Sequence, residues 1–312
     1  MTKSIDRRNF LHYAALTGGA IGVFGSRRAG AAPTFKTVTP GVLTVAMNGD
    51  MPMTSIKDGK LIGTDGEMID LIGQELGLAV KPSLMEWSAT IESIRSGRAD
   101  IMLGNMGWTP VRAKVLLLTD AVYYPGKFAV MKQSKPFSEG ITVNAMKGYS
   151  VGTVTGFTIV PELKKVPDTT DVRLYDTTDA CIRDVLAGRL DLAFLDAPTV
   201  AYLIKLNPSW GLKQVPVERD PAFPILTTKQ NTVFGLNGES TDLFDAVNAG
   251  VAWLWRTKVN RQLLTQYGIS SPSYYVPPDP NPRIGVDRSP EGSILGPFAH
   301  RPKDYSSLFA GA

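Results

Sequence analysis

The sequence predicts an α/β fold of two Rossmann-like lobes joined by two crossover strands. Three observations carry that expectation. A short phrase occurs twice, 91 positions apart: Ile91, Ile94, Gly97, Arg98, Asp100 and Ile101 return as Ile182, Val185, Gly188, Arg189, Asp191 and Leu192. In each copy the apolar residues fall at helical spacing and give way to a glycine, which ends a helix by taking φ > 0 at little steric cost. Behind each glycine stands a short apolar run, Ile101-Met102-Leu103 or Leu192-Ala193-Phe194-Leu195, with the length and composition of a buried parallel strand. Chance recurrence of a Gly-Arg-x-Asp loop is the alternative, and the matching apolar positions weigh against it. A duplicated unit of helix, stop and strand implies a cleft between two halves.

The elements follow in chain order. Residues 1–31 carry Ser4, Arg7-Arg8, Phe10 and Leu11 ahead of an Ala/Gly-rich stretch and the small residues Ala29-Gly30-Ala31. That is the layout of an export signal of twin-arginine type, cleaved near Ala31. The apolar stretch is too short and too polar to span a membrane. Gly41 to Ala46 reads as the first strand, and Asp58-Gly59 as a hairpin turn. A helix is expected from about Glu67 to Leu76, stopped by Gly77, and Thr109-Pro110 caps another. Val122 to Met131 crosses between lobes. Tyr149 to Val154 opens the second lobe as a strand running into Thr155-Gly156-Phe157-Thr158. A helix spans about Pro198 to Leu206, Val215 to Leu236 carries the chain back, and one long helix runs from about Thr241 to Tyr267. The expected bounds are 32–130 plus 233–270 for lobe one, and 131–232 for lobe two with its hinge segments. Residues 271–312 hold eight prolines and few aliphatics. They are expected to form a non-core tail, extended or disordered, anchored by Tyr274 and Tyr275.

The 312 residues carry a formal charge of +4. Residues 1–31 contribute five basic side chains and one acidic, which leaves 28 of each sign in the rest. A neutral mature chain gives no electrostatic reason to expect nucleic acid or an anionic membrane as partner. Cys181 is the single cysteine, so no intrachain disulfide forms and the thiol is expected in a core. The two histidines, His12 and His300, fall in the signal and the tail. No metal site and no cofactor is expected, and histidine-assisted nucleophiles are disfavoured.

In open α/β sheets a ligand binds beyond the carboxyl ends of the strands. Those ends are expected at Asn48 to Asp50 and Gly104 to Thr109 in the first lobe, and at Thr155 to Thr158 and Asp196 in the second. Arg112 stands in the first turn after Thr109, where the positive helix end disfavours a cation by a few tenths to ~1 kcal/mol. A ligand carboxylate held by the guanidinium and by the helix-end N–H groups would offset that cost. An outward surface arginine is the alternative. Asp196 is either the N-cap of the helix that follows or a carboxylate for a ligand ammonium. Together the two would grip opposite ends of a zwitterion and favour the closed state, in which alone the ligand touches both lobes.

The run from Gly41 to about Gly268 resembles the family 3 periplasmic solute-binding proteins, which bring polar amino acids to ABC importers and have the type II periplasmic binding protein fold. The resemblance rests on Gly41-Val-Leu-Thr-Val, Asp58-Gly-Lys-Leu-Ile-Gly, and the stretch from Trp87 through Gly97-Arg-Ala-Asp. It continues in Thr109-Pro-Val-Arg-Ala-Lys, Val151-Gly-Thr-Val-Thr-Gly, Gly188-Arg-Leu-Asp-Leu-Ala-Phe-Leu-Asp and the final helix with Asn248. It implies Arg112 for an α-carboxylate, Asp196 for an α-amino group, Thr109 and Thr158 as further donors, and Asp50 and Trp87 near the ligand. The chain departs from the family pattern at Met53, where an aromatic is usual, and at Gly107, where a serine often sits. It departs again at Phe157, for a frequent threonine, and Trp108, for an aliphatic. Hydroxyls are exchanged for bulk. That points to an apolar or aromatic ligand side chain among Met51, Met53, Trp87, Trp108 and Phe157, or else to residues that face the lobe cores.

The expected function is that of a monomeric periplasmic receptor without catalytic residues, closing over an amino acid and docking on an inner-membrane ABC permease. The competing expectation is an enzyme on the same fold, similar to cyclohexadienyl dehydratases, with Glu67, Glu86 or Asp50 as general acid.

Overall fold

The computed structural model describes residues 34–155, 157 and 159–311. The export signal expected in 1–31 and the donor Thr158 lie outside the described residues. Strands β1 (Val42–Met47), β4 (Ala79–Leu84), β5 (Ile101–Met102), β6 (Leu117–Leu118) and β12 (Gly235–Leu236) form a sheet in the order β4-β1-β5-β12-β6. Strands β2 (Ser55–Lys57) and β3 (Lys60–Ile62) pair as a hairpin beside it. The second sheet has the order β11-β7-β10-β8-β9, from β7 (Phe128–Lys132), β8 (Ser150–Val154), β9 (Asp171–Tyr175), β10 (Leu192–Phe194) and β11 (Leu212–Pro216). The sheets match strand for strand. In each, a parallel trio (β4-β1-β5 or β9-β8-β10) is flanked by an antiparallel strand that a crossover delivers, β12 or β7.

Nine α-helices lie among the described residues: α1 (Thr64–Glu75), α2 (Trp87–Arg95), α3 (Pro110–Ala113), α4 (Val160–Leu163), α5 (Thr178–Ala187), α6 (Ala197–Leu206), α7 (Pro224–Thr227), α8 (Thr241–Thr257) and α9 (Val259–Gln266). They cover both faces of each sheet. Along β1, Leu43, Val45 and Met47 join one buried cluster with Met68, Ile72, Val247 and Leu264, while Ala46 joins another with Ile94 and Trp108. In the second lobe Val151, Leu192 and Phe194 pack with Leu163, and Val130 and Ala193 with Cys181, Ile182 and Val185. Burial pushes the Cys181 thiol up to about 12, with Asp184 adding to the shift, so it is an inert core residue.

The repeated phrase has one structural job in both lobes. Gly97 (φ 68°) and Gly188 (φ 73°) turn the chain out of α2 and α5. Asp100 then accepts the Val38 and Thr44 N–H groups at 2.7 Å each, and Asp191 accepts the Ser150 N–H at 2.9 Å and its hydroxyl at 2.8 Å. Thr44 on β1 and Ser150 on β8 are equivalent, so each aspartate fastens its strand to the central neighbour.

The structure corrects three expectations. First, β7 begins at Phe128 and belongs to the second sheet, so the chain changes lobe before residue 130. The outgoing and returning crossovers pair there: Val122 N–H donates to the Thr232 carbonyl at 2.8 Å, Thr232 N–H to Tyr123 at 3.1 Å and Gln230 N–H to Pro125 at 3.0 Å. Second, the long C-terminal helix is two helices, broken at Lys258 (φ 61°). The break lets the buried Asn260 side chain donate to the Val122 carbonyl at 3.0 Å. Third, residues 271–311 are no loose tail. Tyr274 and Phe309 are 2% and 1% exposed, and Phe309 stacks on Trp253 with ring centroids 5.6 Å apart. The buried Arg283 donates to the Thr119 and Leu118 carbonyls at 2.6 and 3.0 Å and pairs with Asp287 at 2.7 Å. Leu118 lies on β6, an edge strand whose free carbonyls these guanidinium donors occupy. The tail is short of aliphatics, but each of its few anchors is large or charged and packs on a distant element.

His300 is one such anchor. Its Nε2 lies 2.9 Å from Asp245 Oδ1 and its Nδ1 2.9 Å from the Phe298 carbonyl. Both ring nitrogens face acceptors, which suits the doubly protonated ring. Burial by itself lowers its pKa, but the Phe298 carbonyl and the Asp245 carboxylate outweigh it and the net shift is upward. The contact therefore stabilises fully below the ordinary histidine pKa of about 6.5 and is lost as pH rises through the higher folded value. Thermal melts between about pH 5 and 8 are expected to show the wild type losing stability with rising pH relative to His300→Gln, and parallel curves would remove His300 from this role.

Candidate functional site

Because each sheet is covered on both faces, polar side chains collect at the strand ends and along the crossovers. Asp196 follows β10 and occupies the N-cap of α6, yet its carboxylate accepts no backbone N–H of that helix. Its Oδ2 accepts the Thr199 hydroxyl at 2.8 Å, and its Oδ1 accepts the Asn105 amide at 2.6 Å. Asn105 belongs to the loop after β5, so this hydrogen bond joins the lobes. Burial raises the Asp196 pKa, while Thr199, Lys127 and Asn105 oppose that shift and Asp50 adds to it. Lys127, on the outgoing crossover, is lowered by burial against the pull of Asp196.

Thr109 caps α3 with its hydroxyl, which accepts the Arg112 N–H at 3.1 Å. The Arg112 guanidinium is half-buried, donates to the Gly107 carbonyl at 2.5 Å and stands 5.6 Å from the Trp87 ring centroid. Among the described residues it forms no ion pair, and burial lowers its pKa. It is not an outward surface arginine. Asp50 takes the Asn48 amide at 2.5 Å. Burial raises its carboxyl, the Asn48 bond opposes this and the like charge of Glu86 adds to it.

The apolar candidates fall differently. Trp87 is half-buried under Arg112. Met53 is 3% exposed, and its carbonyl accepts the Asp65 and Gly66 N–H groups at 3.0 and 3.1 Å, closing the start of α1. Trp108 belongs to the first-lobe core, its indole N–H buried without a partner among the described residues. Phe157 packs on the second-lobe core.

Sequence reasoning missed the residues that join these parts. Asn105 (φ 50°) donates its N–H to Asp65 at 2.7 Å and accepts the Thr232 hydroxyl at 2.9 Å through Oδ1. The wholly buried Asp65 also accepts the Tyr123 hydroxyl at 2.9 Å, and burial outweighs these bonds to raise its pKa to about 6. Gln230, on the returning crossover, donates to the Asn105 carbonyl at 3.1 Å. Its side chain fills the space a Cβ on Gly107 would take, with Cδ 2.5 Å from that position. The left-handed φ of Asn105 leaves a faint trace in sequence, since asparagine tolerates it; Gln230 leaves none.

Two similar lobes, paired crossovers and a polar seam at facing strand ends define a cleft-forming ligand-binding protein. The chain belongs to the bacterial extracellular solute-binding proteins, family 3, whose sequence pattern matches residues 43–270. The L-cystine-binding protein TcyJ of Escherichia coli (strain K12) is 26% identical over 217 residues, 68% of this chain and 77% of TcyJ. The probable amino-acid-binding protein YxeM of Bacillus subtilis (strain 168) is 26% identical over 162 residues, so the match spans 51% of this chain and 60% of YxeM. The solved structure of an ancestral cationic amino acid solute-binding protein, AncCDT-1, aligns with a TM-score of 0.63 at 20% identity over 73% of this chain and 96% of its own, a likeness of fold. The ordered tail lies beyond the family match.

The close fit at Gly107 is open to test. A methyl group there meets the Gln230 amide, the far end of a half-buried side chain that can swing aside at the cost of its hydrogen bond to the Asn105 carbonyl, about 0.5–1.5 kcal/mol. Gly107→Ala is expected to lose that much in urea unfolding and to lose little more once Gln230→Ala is present; additive losses would mean that the two positions are not coupled.

Proposed function

We propose that this protein is an extracytoplasmic receptor that closes over a free amino acid and delivers it to an ABC permease, exported by the twin-arginine-like signal in residues 1–31 and acting as a monomer. The supporting observation is Arg112, a half-buried guanidinium that forms no ion pair among the described residues while resting on Trp87. A cation so placed calls for an anion, and the planar fork suits a carboxylate. In this reading Arg112 takes the α-carboxylate with help from Thr109 and Thr158, and Asp196 takes the α-ammonium from the other lobe. Trp87 and Phe157 flank the side chain and Asp50 faces it from the rim. Met53 and Trp108 support the wall from within the lobe, and Gly107 aims its carbonyl at the guanidinium. The names of TcyJ and YxeM agree with an amino acid as ligand.

Enzymatic use of the same cleft would draw on Asp50, whose raised pKa suits a proton donor. The binding reading is preferred because Arg112 and Asp196 offer the two ends of a zwitterion complementary charges.

Calorimetric titration with cystine, histidine, arginine, glutamine, leucine, phenylalanine and tryptophan is expected to find at least one tight ligand; a flat response to all would reject the ligand class, and turnover of prephenate or arogenate would favour the enzyme. Against the ligand so found, Arg112→Ala is expected to lose at least ~2 kcal/mol, because it leaves a carboxylate unpaired in a closed cleft. Unchanged affinity would remove Arg112 from the site.

A further inference from the structure

We infer that Asn105 is a positioning residue that latches the two lobes through Asp196, so that closure draws on a protein hydrogen bond as well as on the ligand. The inference rests on the proposed role of Asp196 in ligand binding, but its geometry stands apart from that role. The Asn105 side chain spends its amide on Asp196 Oδ1 across the cleft at 2.6 Å. Its own orientation is fixed from three sides: the Thr232 hydroxyl donates to Oδ1 at 2.9 Å, the Tyr123 hydroxyl lies 3.4 Å from the same oxygen, and the Asn105 backbone N–H is held by Asp65. Thr232 and Tyr123 stand opposite each other on the paired crossovers. The latch is therefore mounted on the hinge itself.

Two consequences follow for the ligand. A carboxylate offers about four lone-pair directions, and Thr199 and Asn105 occupy one on each oxygen of Asp196. The remaining directions suit a ligand cation with two convergent donors, such as a primary ammonium. A bond present only when the lobes meet also adds to the closed population, and apparent affinity scales with the fraction of molecules already competent to bind. Without the latch, more of the ligand's binding energy goes into closure.

The test needs no knowledge of the ligand. Lys60→Cys on the first lobe and Lys164→Cys on the second, both exposed, accept spin labels while the buried Cys181 stays unlabelled. Pulsed electron resonance on the ligand-free full-length protein is expected to show a short-distance population that falls about fivefold in Asn105→Ala, in keeping with the loss of one charge-assisted hydrogen bond. Thr232→Val, which only frees the Asn105 amide to rotate, is expected to give a smaller fall in the same direction. Matching thermal melts would separate either change from general loss of structure. A distance distribution the same in all three proteins, or no short-distance population in the parent, would overturn the latch. Failure of the amino acid titration would instead reject the ligand class and leave this result standing.

Discussion

Asp196 is the group around which the rest of the seam is arranged. A carboxylate at a helix N-cap ordinarily turns back to the first N–H groups of its own helix. Here it turns outward, takes one donor from Thr199 and one from the other lobe, and is held partly out of water, so each missing donor would cost more than it does in solvent. Asn105 in the loop after β5 and Lys127 on the outgoing crossover both supply groups that answer it. The two lobes thus share one polar problem, and its solution requires them to meet.

The pseudosymmetry explains why the problem arises at that place. Asp100 and Asp191 each use one carboxylate oxygen to fasten the neighbouring strand, at Thr44 and Ser150, and give the other to the Val38 N–H or to Lys135. They are consumed at the amino end of β5 and β10, which leaves the opposite ends of those strands free to carry chemistry. Asn105 and Asp196 occupy those two ends. A duplicated unit therefore presents two similar strand termini, and different side chains there become a donor and an acceptor that meet.

The fold was legible wherever a local rule coincided with a global one. Helix-stopping glycines and continuous apolar strands give the same answer at 97–103 and 188–195, and the strands formed there. Thr109 and Asp196 were legible as strand-end residues for the same reason. The break at Lys258 was not, because lysine does not announce a left-handed conformation and the reason for it, the Asn260 bond to Val122, spans 138 positions. The tail misled through composition. Eight prolines suggest a chain unable to bury itself, but Tyr274, Arg283 and Phe309 act singly on surfaces made by distant elements. Asn105 and Gln230 were hidden for a related cause: they tie the loop after β5 to the crossovers, whose register no local pattern encodes.

The trade at Gly107 links these points. The family pattern often has a serine there, and its absence suggested a site that had lost hydroxyl groups. The structure places the Gln230 amide in the space beside Gly107, so at this point of the loop the polar group comes from the hinge. Asn105 is held by both crossovers through Thr232 and Tyr123, and the tail backs them: the Tyr274 ring lies 6.4 Å from Tyr123 and 6.1 Å from Phe128, with its carbonyl on the Tyr124 N–H. A contact between groups on different lobes changes when the lobes move, whereas a contact between a lobe and the adjoining hinge is largely kept. Gln230 and Thr232 therefore hold the loop after β5 in shape, while the Asn105 bond to Asp196 is the contact in this seam that answers to the position of the lobes.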